Sequence, residues 1–222
     1  MRKYVVLISL GVILIVGAAV LIGINVLRDP DPKALVSEAL QKLNAAESFR
    51  FSLVQHEITG IQEKVTADID GEKSGQDASV KGKLAGNDVE MICLGDDFLN
   101  RDLVNQKWIR YPGIAHTVIQ QLFPVEFNPS TLLELDEAGE VVSHDTEVIN
   151  EKKCWVYHTT PQISQDSLNR EWTHFSAMVY VDKRSRNVAR IVLTADHRVM
   201  ERKLRLCFDF TSIGEQINIP RP

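Results

Sequence analysis

The sequence lacks the surplus of positive charge that nucleic-acid-binding proteins carry. Its 222 residues include 25 Lys and Arg against 30 Asp and Glu, and the basic residues are scattered singly or in short groups. Because phosphates are bound by a basic surface, the net charge of -5 argues against nucleic acid as a partner. The hydrophobic fraction of 44% and the charged fraction of 25% are those of a folded globular chain.

Motifs of catalysis and of metal binding are also missing. The six histidines have no HExxH or HxH spacing, and no Cys/His group has zinc-finger spacing. The sequence has no GxSxG elbow and no Gly-rich phosphate loop, and carboxylate pairs such as Asp96-Asp97 fall where turns are expected. We therefore predict a protein that is not an enzyme, with no catalytic residue, no metal site and no cofactor.

Cysteine is scarce, and its three positions do not form a redox or metal motif. Cys93, Cys154 and Cys207 are an odd number, and no pair has CxxC spacing. Each lies in an apolar or mixed strand-like run, which is typical of buried, unreactive thiols. One disulfide with one free thiol is the alternative, and the sequence does not select the pair.

Charge is absent altogether from residues 4–27, where the chain is almost wholly apolar. A helix over Tyr4–Leu27 would be about 36 Å long, enough to cross a hydrocarbon core of about 30 Å. Arg2 and Lys3 precede it and favour a cytoplasmic N-terminus. We expect an uncleaved membrane anchor, and the alternative is a cleaved signal peptide. A lipoprotein signal is excluded because the first cysteine is Cys93.

After the apolar segment, the pattern changes to one helix followed by short strands. Asp31 and Pro32 are placed to begin an amphipathic helix that ends near Ala46. Alternating apolar and polar residues then predict strands separated by turns, with shorter helices near 114–123 and 129–138. The strands are predicted at 49–53, 65–69, 78–81, 89–94, 99–111, 141–142, 146–149, 154–160, 177–182, 188–195 and 203–210.

These elements predict a mainly β (α+β) fold. We expect a curled antiparallel sheet of about ten strands, a half-barrel, because a sheet of this size curls rather than stays flat. The N-terminal helix and a short helical lid over Pro129–Ala138 would cover it, and one transmembrane helix would precede it. The predicted division is residues 1-28 as cytoplasmic tip and transmembrane anchor, and residues 29-222 as an extracytoplasmic half-barrel domain.

Three short patterns carry a resemblance to a known family. They are the helix Ala39–Leu43 leading to Ser48–Phe51, the strand-turn-strand Val179–Lys183 with Val188–Ile191, and the last strand and tail over Phe210–Pro220, which ends in Ile217–Pro220. Together they resemble the LolA/LppX superfamily of extracytoplasmic lipid and lipoprotein carriers, over about residues 31–220. The resemblance implies an unclosed barrel around a helical lid. A peptide anchor would depart from this family, whose LppX branch is usually lipid-anchored while LolA is soluble, and it puts free shuttling between membranes in doubt.

A curled sheet filled by few helices can leave an apolar cavity, and such cavities bind apolar ligands. The alternative is that the same side chains pack as an ordinary core. If the cavity exists, six candidate ligand-binding residues should share it: Met91, Trp108, Leu132, Leu133, Trp155 and Phe175.

Two functions are open at this point. The first is a membrane-anchored, extracytoplasmic binding protein, on the cell membrane as a single-pass protein, that holds a lipid, an acyl chain or a lipoprotein moiety. The second is a membrane-tethered sensor, regulatory or scaffold protein that binds another envelope protein through the same half-barrel.

Overall fold

An antiparallel β-sheet of eleven strands dominates the computed structural model of the protein. The structure describes residues 31–113, 133–134, 140–163 and 166–222. The helices are α1 (Pro32–Ala45) and α2 (Asp166–Glu171). The strands are β1 (Ser48–Thr59), β2 (Gln62–Ser74), β3 (Asp77–Leu84), β4 (Asn87–Leu94), β5 (Asp97–Asp102), β6 (Lys107–Tyr111), β7 (Leu133–Glu134), β8 (Val141–Ile149), β9 (Lys152–Thr159), β10 (Gln162–Ile163), β11 (Trp172–Asp182), β12 (Val188–His197) and β13 (Arg202–Thr211).

The large sheet consists of two meanders joined at one seam. Its strand order is β6-β5-β4-β3-β2-β1-β13-β12-β11-β9-β8, and a separate two-stranded sheet pairs β10 with β7. Each meander follows the chain, and β1 meets β13 in a register that runs from Arg50 opposite Thr211 to Thr59 opposite Arg202. Strands β6 and β8 are the two ends of the order and are not paired with each other, so the sheet is unclosed. A sheet with this many strands curls rather than stays flat.

Because neighbouring strands are antiparallel, the hairpin turns alternate between two ends of the sheet. We call the end with the turns at 60–61, 85–86, 103–106 and 198–201 the upper rim. The opposite end, with the turns at 75–76, 95–96, 150–151 and 183–187, is the lower rim. The two rims differ in composition.

Helix α1 forms where the sequence predicts it. Pro32 is its first residue, a position at which the missing backbone N–H costs nothing. Apolar residues then recur with helical spacing and are all buried against the sheet: Leu35, Val36, Ala39, Leu40 and Leu43. Glu38 and Lys42, one turn apart on the exposed side, form an ion pair of 2.8 Å. Burial of the apolar stripe, rather than this surface pair, stabilises the helix.

The sheet has one face covered by α1, which we call the inner face, and an opposite outer face. Alternation along each strand sends large apolar side chains inward. On the seam strands these are phenylalanines at 49, 51, 208 and 210, and the rings of Phe49 and Phe210 meet edge to face at 6.0 Å between centroids. Each such buried ring stabilises the fold by roughly 1.5–3 kcal/mol. Because Phe49 lies on β1 and Phe210 on β13, their contact shows that the core crosses the seam between the meanders.

One close approach on the inner face requires glycine. Gly71 on β2 lies opposite Phe51 on β1, and a Cβ atom at position 71 would lie 2.2 Å from Cζ of the Phe51 ring. The glycine therefore provides the space that this buried ring occupies.

The predicted strand count and one turn require correction. The large sheet has eleven strands rather than about ten. Leu99–Tyr111, predicted as one strand, is most of the hairpin β5–β6, whereas 141–142 and 146–149, predicted separately, both lie in β8. No glycine or proline marks the β5–β6 turn. Instead, the Asp102 carboxylate accepts hydrogen bonds from the backbone N–H groups of Val104 and Asn105, at 2.9 and 3.1 Å, and these bonds hold the turn.

The predicted helical lid is also wrong where the structure describes it. Leu133 and Glu134 lie in β7, paired with Ile163 and Gln162, although a helix was predicted over Pro129–Ala138. The leucines in this segment are too few to distinguish helical from extended spacing, and pairing with β10 satisfies the extended backbone. The remainder of the predicted lid, including Leu132, lies outside the described residues.

The predicted transmembrane helix is not supported. Among the residues that the structure describes, no helix has the length and apolar character needed to cross a membrane. The segment Tyr4–Leu27, on which the prediction was made, lies outside the described residues. The division into 1-28 and 29-222 stays a prediction, and the part of the chain described here belongs to a unit that runs from Pro32 to Pro222.

Candidate functional site

The inner face is the candidate site because it is the part of the fold that could hold an apolar ligand. Its apolar side chains come from α1, from α2 and from most strands of the large sheet, and they form one continuous buried cluster. Helix α1 is attached at the lower rim: Lys73 Nζ donates to the Ala46 carbonyl oxygen at 3.3 Å, and Arg186 Nη1 lies 3.8 Å from Glu38 Oε2. The helix thus covers the inner face at its lower end.

Three of the six predicted ligand-binding residues lie on this face. Met91 on β4 is buried within the cluster, while Trp155 on β9 and Phe175 on β11 are partly buried and pack against it. Lys183 Nζ lies 5.2 Å from the centroid of the Trp155 ring, so one side of the indole contacts a positive charge. The structure brings these three side chains to one apolar cluster, and their role in ligand binding stays a prediction.

The other three are not brought to the same place. Trp108 on β6 packs on the outer face, with Ile92, Leu99 and the C-terminal tail residues Ile217 and Ile219. Leu133 lies in β7, of which only the backbone is described, and Leu132 is outside the described residues. Trp108 therefore supports the C-terminal tail rather than the inner cluster.

One buried polar group on the inner face was not predicted. Thr159, the last residue of β9, is only 1% exposed, and its Oγ1 has no hydrogen-bond partner among the described residues. It follows Trp155 and Tyr157 at alternate positions, so the strand period places it on the same face. Its cross-strand neighbours are Ala177 and Val141, both apolar.

A hydroxyl without a partner in an apolar interior costs free energy, roughly 1–3 kcal/mol. It is also able to donate a hydrogen bond to an ester or carboxyl oxygen of a bound molecule. The alternation from Trp155 was sufficient to place Thr159 inward. What the sequence could not show was that Thr159 has no partner there.

The outer face carries a polar groove that differs in kind from the inner cluster. Its volume is about 600 Å³, and its charged residues include Arg50, Glu72, Glu90 and Asp209. These groups are paired: Arg50 with Glu72 at 2.7 Å, Glu90 with Arg101 at 2.5 Å, and Asp209 with Arg190 through two hydrogen bonds of 2.7 and 2.8 Å. Because these charged groups bind one another, the groove is a sheet surface that is stabilised by its own ion pairs.

All three cysteines are free. Burial, assisted by the charge of Asp77, raises the pKa of the Cys93 thiol to about 12. Burial also raises the pKa of Cys154 and of Cys207. Since the thiolate is the reactive form, these residues are suited to packing rather than to redox chemistry.

The turn that carried part of the family resemblance is held by Asp182. Its carboxylate accepts hydrogen bonds from the Ser185 hydroxyl at 2.6 Å and from the backbone N–H groups of Arg184 and Ser185 at 3.1 and 3.3 Å. Burial acts to raise the pKa of Asp182, but these hydrogen bonds outweigh it and the pKa is lowered. The Asp-Lys pattern at 182–183 is therefore a turn signal.

Together, the curled unclosed sheet and its covered inner face define a half-barrel fold, and solved structures share it. The Mycobacterium tuberculosis lipoprotein LppX matches with a TM-score of 0.54 and 14% identity, over 87% of this chain and all of LppX. LprF from Mycobacterium bovis matches with a TM-score of 0.57 and 9% identity, over 87% of this chain and 98% of LprF.

A LolA superfamily protein from Nitrosomonas europaea also matches, at 9% identity and a TM-score of 0.37, over 86% of this chain and 96% of that protein. No protein-family model matches the chain, and no curated protein matches it by sequence. The resemblance to the LolA/LppX superfamily is thus confirmed at the level of the fold.

Proposed function

We propose that this protein is an extracytoplasmic binding protein whose half-barrel holds a lipid, an acyl chain or the acyl moiety of a lipoprotein on its inner face. The observation that carries the proposal is Thr159 Oγ1, which is buried among apolar side chains and has no hydrogen-bond partner within the described part of the chain. A filled core has no use for such a group, whereas a carrier of acyl esters would use it to hold the polar end of its ligand.

The apolar part of the ligand would contact the cluster around Met91, Trp155 and Phe175. Each buried methylene contributes roughly 0.8 kcal/mol, so an acyl chain supplies most of the affinity and the Thr159 hydroxyl supplies orientation. The fold shared with LppX and LprF, the former described as a lipoprotein, supports this proposal.

Native mass spectrometry of the purified full chain tests the proposal directly. We expect co-purified molecules with the masses of lipids or fatty acids. A chain that carries no such molecule, fails to bind a fluorescent fatty acid and captures a single protein would instead support binding of an envelope protein partner.

Substitution Thr159→Val separates a binding site from a filled core. Valine has nearly the same shape, so removal of the unpaired hydroxyl should raise the free energy of unfolding by about 1–3 kcal/mol. If Thr159 holds a ligand, affinity for the fluorescent fatty acid should nevertheless fall several-fold, as measured by titration. Unchanged affinity in the stabilised variant would contradict the proposed site.

Thr194→Val is the matched control. The Thr194 hydroxyl is on the outer face and donates to the Ser176 carbonyl oxygen at 3.4 Å. Its removal should lower the free energy of unfolding by no more than about 1 kcal/mol and leave fatty-acid affinity unchanged.

A further inference from the structure

The two rims of the half-barrel differ sharply in the side chains that their turns expose. At the upper rim, Ile61 is fully exposed, Val104 is 90% exposed, Val199 is 87% exposed and Met200 is 53% exposed. The fourth upper turn contains Ala85 and Gly86. At the lower rim, all four turns contain only polar or charged residues and glycine. Among the eight turns that define the two rims, only those of the upper rim therefore expose large aliphatic side chains, although Val148 on β8 near the lower rim is also 69% exposed.

Two of these aliphatic turns are held by the same local arrangement. Asp102 accepts hydrogen bonds from the backbone N–H groups two and three residues ahead, those of Val104 and Asn105. His197 Nδ1 does the same for Val199 and Met200, at 3.1 Å each. In both turns a valine lies two residues after the acceptor. The valines are therefore presented by ordered turns rather than by loose loops.

The charges beside the upper rim largely neutralise one another. Arg202 lies 3.4 Å from Glu57, Lys203 lies 3.5 Å from Asp196, and Arg205 pairs with Glu63. The Arg198 guanidinium donates to the Asn169 carbonyl oxygen at 2.8 Å. Arg198 and Glu201, in the same turn as Val199 and Met200, are of opposite sign, so an apolar medium that approaches these turns meets little net charge.

The spacing of the exposed side chains indicates what they contact. Neighbouring strands are about 4.8 Å apart, so the turn at 60–61 lies about 10 Å from the turn at 198–201 and about 19 Å from the turn at 103–106, measured along the sheet. A protein partner needs a contiguous patch of about 800 Å². Separate aliphatic tips at one end of a molecule instead suit a surface that each tip can enter on its own.

We propose that the upper rim docks on the surface of a lipid bilayer, with Ile61, Val104 and Val199 immersed at the boundary between headgroups and acyl chains. This surface is distinct from the inner face, and the inference does not depend on whether the inner face holds a lipid. Because most of the flanking charges are compensated by a neighbour of opposite sign, docking is driven by apolar burial and should depend little on salt.

Site-specific fluorescence tests the orientation. An environment-sensitive fluorophore would be attached to the full chain through Val104→Cys or Val199→Cys, and through Gln76→Cys or Arg184→Cys at the lower rim. On addition of phosphatidylcholine vesicles, we expect a shift of emission to shorter wavelength, and quenching by lipids that carry a quencher on the acyl chain, only at positions 104 and 199. The shift should persist in 0.5 M NaCl, a concentration at which interactions between charges more than about 5 Å apart are largely screened.

Vesicle partitioning supplies the second measurement. The triple variant Ile61→Ser/Val104→Ser/Val199→Ser should partition at least about tenfold less than the parent chain. The matched lower-rim variant Gln76→Ser/Glu151→Ser/Arg184→Ser should partition as the parent does. Residues 1–30 are the same in every variant, so a lipid concentration that binds only part of the parent chain makes the comparison report on the rims.

Three results would overturn the inference. The first is the same emission at both rims in the presence of vesicles. The second is equal partitioning of the two triple variants. The third is a shift at positions 104 and 199 that needs no vesicles and grows with protein concentration, which would show that the upper rim contacts a second copy of the chain.

Discussion

At the scale of single residues, the polar groups that matter are those with an unusual environment, and Asp182 is a carboxylate that is both buried and hydrogen-bonded. Three donors surround its carboxylate at the lower rim, and its side chain is nearly buried. Its pKa is lowered from the ordinary value near 3.9. A carboxylate of this kind contributes stability at pH values above its unfolded-state pKa and loses that contribution as the pH falls through the lowered folded-state pKa.

We therefore expect Asp182→Asn to reduce the free energy of unfolding at pH 7 by about 1–3 kcal/mol. The difference between parent and variant should shrink as the pH falls below about 4, because the parent then loses the same charge. Urea denaturation across this range measures it. Asp68→Asn, which alters an exposed carboxylate on β2, should change stability by less than about 0.5 kcal/mol. A constant difference between parent and Asp182→Asn down to pH 2 would contradict this account.

At the scale of elements, the fit between neighbouring strands depends on small residues as much as on large ones. The Phe51 ring occupies the space above Gly71 on the adjacent strand. We expect Gly71→Ala to destabilise the fold by about 1–3 kcal/mol, because the added Cβ forces the buried ring out of its position. Thermal or urea unfolding measures the loss.

A double-variant cycle makes the cause specific. Phe51→Leu shortens the side chain opposite position 71, so Gly71→Ala should cost less in the Phe51→Leu background than in the parent. Equal costs in both backgrounds would show that the glycine is needed for its backbone alone. An alanine variant as stable as the parent would show that the strands separate easily at this point.

The elements also show how much the sequence predicts. Leu204, Leu206, Phe208 and Phe210 alternate with polar residues, and the strand β13 forms there with those side chains inward. The stripe of α1 is equally clear. In contrast, the hairpin β5–β6 was predicted as one strand, because its turn is held by a side-chain carboxylate rather than marked by glycine or proline.

The candidate site was predicted less well than the strands. Alternation assigns side chains within a strand to two faces, but it does not say which face is covered by the helix. Met91, Trp155 and Phe175 lie on the covered face, whereas Trp108 lies on the other, under the C-terminal tail. Thr159 illustrates the same limit, since only the three-dimensional surroundings reveal that its hydroxyl has no partner among the residues whose positions are described.

At the scale of the whole molecule, two meanders share one core. Phe49 and Phe51 belong to the first meander, Phe208 and Phe210 belong to the second, and their rings are in contact across the β1–β13 seam. We expect the meanders to unfold in one transition, although their strands pair separately. Phe208→Ala should reduce the free energy of unfolding by about 3–5 kcal/mol.

Two tryptophans report on the meanders separately. Trp108 belongs to the first meander, and Trp155 and Trp172 belong to the second. Variants that retain only Trp108 or only Trp155, with Trp172 replaced in both, allow each meander to be followed during urea denaturation. Coincident midpoints, both shifted by Phe208→Ala, are expected. Two separate transitions, of which only the second responds to the substitution, would contradict a shared core.

The β1–β13 seam also has a consequence for the order in which the chain is made. Strand β1 ends at Thr59 and its partner β13 begins at Arg202, so about 140 residues must be synthesised between them. At about 5–20 residues per second, one edge of β1 waits roughly 7–30 s on the ribosome before its partner exists. Unpaired edges favour association with other nascent chains, and the charged side chains of Arg50 and Glu57 along β1 oppose it. Strand β1, which is central in the finished sheet, is thus an edge strand for most of the time in which the chain is synthesised.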